Sequence, residues 1–237
     1  MKGRKTLNYI SDGFFQGLQL IFSMDDEVWT AVLTTLKLTA LSMSATLAVG
    51  VPLGFMLGYF SFPGKKMVRI TVDTLLSIPT VVVGLLVYAF ISNRGPFGGY
   101  GLLFSLPGMA IGQAILALPI VTALTASAVE SVDDRLRLTL LTLGAGGRRL
   151  ALSTLWESRH QILMAAVTAY GRITAEVGVS MMIGGNIKWR TRTVTTAITL
   201  ETGKGEFSTG IALGVMLLVL SFALNWSLSA LRRRTAS

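Results

Sequence analysis

The amino-acid sequence predicts an all-α fold, a bundle of helices that crosses a membrane several times. Hydrophobic residues make up 51% of the 237-residue chain and charged residues only 14%, and the mean hydropathy is +0.63. Four stretches of about 19 to 25 residues carry no charge: residues 38–60, 74–92, 107–129 and 207–231. A helix needs about 20 such residues to cross the ~30 Å hydrocarbon core of a bilayer, so each stretch is predicted to span it.

A fifth span is predicted over residues 161–187, although Arg172 and Glu176 interrupt its apolar run. In a continuous helix these two residues are four apart and their side chains lie on one face. An ion pair that faces the interior of a bundle makes such a span tolerable in lipid. We therefore predict five core spans within a membrane domain of residues 28–231.

Residues 1–27 are predicted to form an amphipathic or interfacial segment, because residues 7–24 mix aromatic and polar side chains. A sixth span over residues 7–24 is the alternative. With five spans, eleven basic residues lie on the predicted cytoplasmic side, in two loops and the tail 232–237, and eight lie on the other side. With six spans, 14 basic residues lie on the cytoplasmic side and five on the other. Charge therefore favours six spans, and the polar residues of the segment favour five.

Three prolines are predicted to interrupt the spans: Pro52, Pro79 and Pro119. Membrane helices tolerate proline where neighbouring groups or water satisfy the carbonyl that is freed. Kinked helices are typical both of a moving pathway and of ordinary packing. We expect Pro79 and Pro119 to line a path or a gate.

The basic loop at residues 131–160 is predicted to form two short helices, at about 133–143 and 148–156, joined by the glycine-rich residues 144–147. Glycine is favoured just past a helix end, where φ is positive. The first helix carries several leucines, among them Leu138 and Leu143, so the loop is expected to dock on another surface. A partner protein and the lipid surface are the two alternatives.

The loop resembles the cytoplasmic coupling loop of ABC importer permeases in Leu143-Gly144-Ala145 and the later Leu155. Members of that family insert this loop into a groove of a separate ATPase. Their Glu-Ala-Ala is replaced here by residues 138–140, and their proline by Trp156-Glu157. The resemblance implies these coupling residues: Leu138, Leu143, Gly144, Ala145, Arg148, Leu155 and Glu157.

Further segments resemble the molybdate, sulfate and tungstate branch of these permeases: residues 77–85, 95–98 and 112–120. Residues 172–203 are similar to tungstate permeases in particular. The resemblance implies the type I importer permease fold and a homodimer in the cytoplasmic (inner) membrane of a prokaryote. Two ATPase subunits and an extracytoplasmic substrate-binding protein are the implied partners, with ATP bound by the ATPase and no cofactor or metal in this chain. Molybdate or sulfate is the alternative substrate.

A tetrahedral dianion would be attracted by basic residues and bound by backbone amides and hydroxyls in the segment that resembles tungstate permeases. We expect an external basic patch of Lys188, Arg190 and Arg192, for which lipid headgroups or an acidic partner are alternative ligands. Arg172 is expected near mid-membrane, where a fixed pair with Glu176 is favoured over contact with the anion. Together with the two prolines, the predicted path or gate comprises Arg172, Glu176, Ser180, Gly184, Gly185 and Asn186.

Other functions lack their signatures in the sequence. The basic residues lie in short clusters between apolar runs, which argues against nucleic acid. There is no phosphate-loop motif for ATP, no cysteine, and a single histidine, His160, so we predict a transporter subunit and not an enzyme. A secondary transporter usually shows internal repeats, and an intramembrane enzyme needs a catalytic constellation; neither is found.

Overall fold

The structure is a computed structural model and describes residues 14–15, 19 and 26–235. The predicted interfacial segment, residues 1–27, lies almost entirely outside the described residues, as do the last two residues of the predicted tail. Within the described ranges all regular secondary structure is helical, which confirms the predicted all-α class.

Ten α-helices follow one another from residue 26 to residue 235, with one short 3₁₀ turn at Gly98–Tyr100. They are α1 (Asp26–Tyr59), α2 (Lys65–Leu75), α3 (Thr80–Ile91), α4 (Leu106–Glu130), α5 (Asp134–Thr142), α6 (Gly147–Glu157), α7 (Arg159–Thr174), α8 (Gly178–Gly184), α9 (Val194–Gly203) and α10 (Phe207–Thr235).

The predicted spans correspond to three unbroken helices and two interrupted ones. Helices α1 and α4 are each long and apolar enough to cross a membrane, and α10 contains the shorter apolar stretch Phe207–Ala223. The pairs α2 with α3 and α7 with α8 satisfy the same criteria only when each pair is taken as one broken span. The predicted spans 74–92 and 161–187 are therefore not continuous helices.

Two predictions that assumed continuous helices are corrected by these breaks. Pro79 was expected inside a helix, but it lies in the break immediately before α3. Its missing N–H and the strain it imposes on the preceding residue favour a helix start over a helix interior. Arg172 lies in the last turn of α7 and Glu176 lies in the break before α8, so the spacing of one helical turn does not apply to them. Pro52 and Pro119 do lie inside helices, as predicted.

The chain divides into two compact units that each take part of several helices. The first comprises Met1–Ser42, Thr80–Gln113 and Ile173–Ser237, and the second comprises Met43–Pro79 and Ala114–Arg172. In the first unit the start of α1 packs on α9 and α10 through buried apolar side chains. These are Val28, Ala31, Val32, Val194, Ala197, Leu213 and Met216.

In the second unit the later part of α1 lies closely against α4. A methyl group added at Gly54 would come within 2.6 Å of the Thr122 carbonyl oxygen, and one at Gly58 within 2.7 Å of the Ala126 carbonyl oxygen. Gly50 extends the same stripe by one turn. Small residues four apart let membrane helices approach closely, so this stripe is the packing interface of α1 and α4.

The surface of the described helices differs from that of a water-soluble protein. Large apolar side chains are exposed along α1, α3 and α10, for example Leu33, Leu53, Met56, Val81, Leu85, Phe90, Leu218 and Phe222. The interior is mainly apolar and also contains buried serine and threonine side chains, for example Ser42, Thr46 and Thr125. Continuous apolar exposure on this scale indicates contact with lipid and confirms the predicted membrane bundle.

Candidate functional site

The predicted coupling loop forms the two helices expected of it, α5 and α6. Helix α5 begins at Asp134 and is capped by Asp133, whose carboxylate accepts a hydrogen bond of 2.8 Å from the backbone N–H of Arg135. Such a cap satisfies one of the free N–H groups of the first turn.

The end of α5 is a Schellman motif built on Gly144, which has a φ of +76°. The N–H of Gly144 donates to the Leu141 carbonyl at 3.0 Å, and the N–H of Ala145 donates to the Leu140 carbonyl at 2.9 Å. Only glycine adopts this left-handed conformation without strain, so the motif explains the glycine at this position. The glycine turn predicted from the sequence is confirmed.

The loop presents apolar side chains to its surroundings. Leu143 at the end of α5 is 77% exposed, Leu138 is 62% exposed and Trp156 on α6 is 68% exposed. A groove of about 630 Å³ lies beside them and is lined mainly by apolar side chains: Val51, Leu136, Leu140, Leu152, Ser153, Leu155, Trp156, Glu157, Arg159 and Ile162. Exposed apolar side chains of this size, together with a mainly apolar groove, are typical of a surface that docks another molecule.

Of the predicted coupling residues, Leu138, Leu143, Gly144, Arg148 and Glu157 are exposed, and Ala145 and Leu155 are half-buried. Leu155 and Glu157 line the groove.

Trp156 stands out in the sequence only as a departure from the family pattern, and its exposure is not predicted from it. Its ring lies 4.5 Å from the guanidinium carbon of Arg159 in a cation–π contact. A tryptophan in a basic loop outside every predicted span is the sequence signal that points to this exposure.

An ionic cluster holds the helix ends that precede this loop. Glu130, the last residue of α4, pairs with Lys65 at 3.1 Å and with Arg69 at 3.4 Å, both on α2. Arg69 also donates to the hydroxyl of Ser127 at 2.6 Å, and Lys65 donates to the Gly58 carbonyl at 3.1 Å. The loop after the first predicted span and the end of the third span therefore lie at the same end of these helices, as their charges predicted.

Replacing Glu130 with glutamine is expected to weaken this cluster modestly, because its partners are partly exposed and each such pair contributes about 0.2–1 kcal/mol. A double-mutant cycle with Lys65→Gln, measured by thermal unfolding in detergent, should give a coupling in that range. Lys66→Gln is the matched control, because no ion pair of Lys66 is found among the described residues. A coupling of zero between residues 65 and 130 would contradict the cluster.

In the first unit, a buried amide connects several helices. Gln113 of α4 donates from Nε2 to the hydroxyl of Ser180 at 3.2 Å and to the Ile173 carbonyl at 3.5 Å. Its Oε1 accepts a hydrogen bond of 3.0 Å from the hydroxyl of Ser42. Gln113 and both hydroxyls are buried, so the amide fixes α8, which carries the predicted gate residues Ser180 and Gly184, against α1 and α4. Gln113 lies in a segment singled out by its family resemblance, but its role was not predicted.

Hydrogen bonds from threonine hydroxyls hold the segment that follows α8. The Thr191 hydroxyl donates to the Gly184 carbonyl at 2.6 Å and accepts from the Ile187 N–H at 3.0 Å. The side chain of Asn186 accepts from the Thr196 hydroxyl at 3.0 Å. Gly184 ends α8 and Gly185 follows with a φ of +68°, as the predicted turn requires.

Threonines in this region form an internal scaffold. Thr193 caps α9 in a reciprocal capping box with Thr196, and the Thr195 hydroxyl donates to the Glu176 carbonyl at 3.2 Å. The Thr35 hydroxyl of α1 accepts from the Val194 N–H at 3.0 Å. All four of these threonines are buried, so their hydroxyls serve structure in this conformation.

Thr193→Ala should destabilise the protein by about 1–2 kcal/mol, because it removes a buried N-cap. Thr199→Ala is the control: this side chain is exposed and donates only to a carbonyl of its own helix, so its loss should cost little. The comparison needs thermal unfolding of both variants in the same detergent. Equal stabilities would mean that the capping box contributes nothing.

Two cations of the predicted basic patch, Lys188 and Arg192, are paired with a carboxylate. Glu27, in the first turn of α1, pairs with Lys188 at 2.6 Å and also with Arg192. The side chain of Arg192 is only 15% exposed, whereas Arg190 is exposed and has no ion pair among the residues that the structure describes. Lys188 and Arg190 are therefore exposed and Arg192 is largely buried; that the three cations form an external patch stays a prediction.

The remaining predicted path residues are divided between the two units. Pro79, Pro119 and Arg172 belong to the second unit. Glu176 and Ser180 belong to the first unit, where both are buried. A Glu176 oxygen accepts a hydrogen bond of 3.2 Å from the Val179 N–H and so caps α8. Whether these residues line a path stays a prediction, as does the pairing of Arg172 with Glu176.

Known proteins match this chain along most of its length. The family model for the binding-protein-dependent transport system inner membrane component matches residues 50–237. The tungstate uptake system permease protein TupB of Campylobacter jejuni is 48% identical over 227 residues, covering 96% of this chain and 95% of the relative. The protein of the same name from Peptoclostridium acidaminophilum is 34% identical, covering 92% of this chain and 96% of the relative.

A solved structure shows the same fold. A chain of a bacterial alginate ABC transporter, crystallised in complex with an alginate-pentasaccharide-bound periplasmic protein, superposes with a TM-score of 0.77 and 19% identity. The match covers 98% of this chain and 88% of that one. This likeness confirms the importer permease fold that the sequence resemblance implied.

Proposed function

We propose a function from one premise: the chain belongs to the family of binding-protein-dependent transport system inner membrane components. It is the membrane-spanning subunit of an ATP-driven importer, and its substrate is tungstate. The similarity to two tungstate uptake permeases along nearly the whole chain is the observation that carries the substrate assignment.

The coupling loop supports dependence on a separate ATPase. It exposes the apolar side chains of Leu138, Leu143 and Trp156, and Trp156 lines the same groove as Leu155 and Glu157. Burying these side chains against a partner would stabilise a complex by about 25 cal/mol for each Å² of apolar surface removed from water. The ATPase binds ATP, and this chain contributes neither an ATPase motif nor a cofactor.

The remaining parts of the transporter follow from the family. Two copies of this chain form the path, two ATPase subunits dock on their coupling loops, and an extracytoplasmic binding protein delivers the anion. The complex lies in the inner membrane of a prokaryote, with α5 and α6 on the cytoplasmic side. Residues 184–192, with Lys188 and Arg190 exposed, lie on the opposite side.

Elemental analysis of intact cells tests this function. Cells that lack this chain should lose high-affinity tungsten accumulation, and expression of the chain should restore it. Molybdenum uptake, measured in the same samples, distinguishes the two anions. Tungsten uptake that does not depend on the chain would refute the proposal, and dependence of molybdenum uptake alone would change the substrate to molybdate.

A further inference from the structure

We propose that Lys188 and Arg192 form an entry site for the transported oxyanion. The carboxylate of Glu27 occupies this site when no anion is bound. This inference rests on the proposed function and adds to it a binding site and a competitor. The predicted ligand is a tetrahedral dianion such as tungstate, which displaces the carboxylate of Glu27.

The geometry around Glu27 is that of an occupied anion site. One carboxylate oxygen lies 2.6 Å from Lys188 Nζ, and the other is hydrogen-bonded to Arg192 Nη1. Two cations from one short segment therefore converge on a single carboxylate that comes from the opposite end of the sequence. Charge-assisted hydrogen bonds of this kind are among the strongest that proteins make to oxyanions.

The site has capacity that Glu27 does not use. The Nε atom of Arg192 is buried and has no acceptor among the described residues. Arg190 is exposed two residues from each of the paired cations and adds positive charge. A dianion with four oxygens supplies more negative charge and more acceptors than a carboxylate, so it suits this set of donors better.

Of the two ion pairs of Glu27, the pair with Lys188 is the more exposed and the easier to open. The side chain of Glu27 is 37% exposed and that of Lys188 is 47% exposed, and pairs in such surroundings contribute little because water and salt screen them. Glu27 also lies in the first turn of α1, where the helix dipole favours a negative charge. A displaced carboxylate therefore keeps a favourable environment, which lowers the free energy needed to open the site.

Trp189 provides a direct readout of this exchange. Lys188 Nζ lies 5.2 Å from the centre of the Trp189 ring, and the ring is exposed. Movement of Lys188 from Glu27 to an anion changes the charge beside the indole and hence its fluorescence. The variant Trp189→Phe identifies the part of the signal that comes from this ring, since the chain has four tryptophans.

The test is a titration of the purified permease–ATPase complex with sodium tungstate, without ATP or binding protein, at constant ionic strength. Wild-type protein should show a weak saturable change that chloride does not produce. Glu27→Gln should tighten tungstate binding about three- to tenfold, and Lys188→Gln should weaken it by a similar factor. Glu206→Gln, which removes a carboxylate from an exposed position outside the cluster, should leave the affinity within about twofold of wild type.

Several results would overturn the inference. If Glu27→Gln binds tungstate no more tightly than wild type, or if Trp189→Phe retains the full signal, Glu27 is a structural tie and no anion competes with it. A shift of equal size in Glu206→Gln would show only a general effect of net charge. Tungsten uptake by cells carrying the wild-type chain is measured in parallel. Normal uptake with a failed titration rejects this inference alone, whereas absent uptake rejects the proposed function as well.

Discussion

Gly54→Ala is expected to destabilise the permease by about 1–3 kcal/mol, the typical cost of overpacking a tight interface. The added methyl group would lie 2.6 Å from the Thr122 carbonyl oxygen and 2.6 Å from the Thr125 Cβ atom, so α1 and α4 would have to separate. Alanine favours a helix by up to ~1 kcal/mol over glycine, so any loss of stability must come from the contact. Gly54→Leu should prevent accumulation of folded protein in the membrane.

Gly171→Ala is the matched control for this substitution. Gly171 is also helical and also lies in the second unit, but nothing lies within 4 Å of an added methyl group there. The control should therefore be neutral or slightly stabilising. Thermal unfolding in detergent and the amount of protein in membranes measure both effects. If the two alanine variants were equally stable, the glycine stripe would not be the packing interface.

Leu143→Asp should leave the permease folded but abolish its association with the ATPase. Leu143 is 77% exposed, so a carboxylate there costs the isolated chain little. At an interface, losing a buried leucine costs about 1.5–3 kcal/mol, which corresponds to a roughly tenfold to hundredfold weaker complex, and burying the charge adds to this loss. Leu143→Met, which keeps an apolar side chain of similar size, should retain association.

Co-purification of tagged permease with the ATPase measures this effect. Tyr100→Asp is the control, because Tyr100 is equally exposed but lies in a loop on the opposite predicted side of the membrane. Retention of the ATPase by Leu143→Asp, or its loss in Tyr100→Asp, would contradict docking through the coupling loop. ATP-driven uptake should fall in parallel with association.

The spans could be predicted from the sequence because lipid imposes a simple length requirement on uncharged segments. Hydropathy alone does not reveal where such a segment breaks. The break before Pro79 adds no charge to its apolar run, and the break around Glu176 was interpreted as an ion pair within one helix. The sequence shows the glycines of α1 at a spacing of four residues. Only the structure shows that they lie against α4 and therefore form a packing interface.

The candidate site was predicted best where its determinants are local. The turn at Gly144 depends on a few adjacent residues, and its positive φ was predicted correctly. The basic patch was predicted as open because Glu27 is distant in the sequence from Lys188 and Arg192, and composition cannot show that they meet. As a residue type, the threonines after α8 could serve either an anion site or an internal scaffold. Their burial in the structure indicates the scaffold.

Reconstitution of the complex in proteoliposomes tests the central claim most directly. Permease, ATPase and binding protein are purified together, and tungsten inside the vesicles is measured by elemental analysis after addition of external tungstate. We predict that tungsten accumulates against its gradient only when ATP is supplied on the side of the coupling loop. Accumulation without ATP, or none with all components present and ATP hydrolysed, would contradict an ATP-driven tungstate importer.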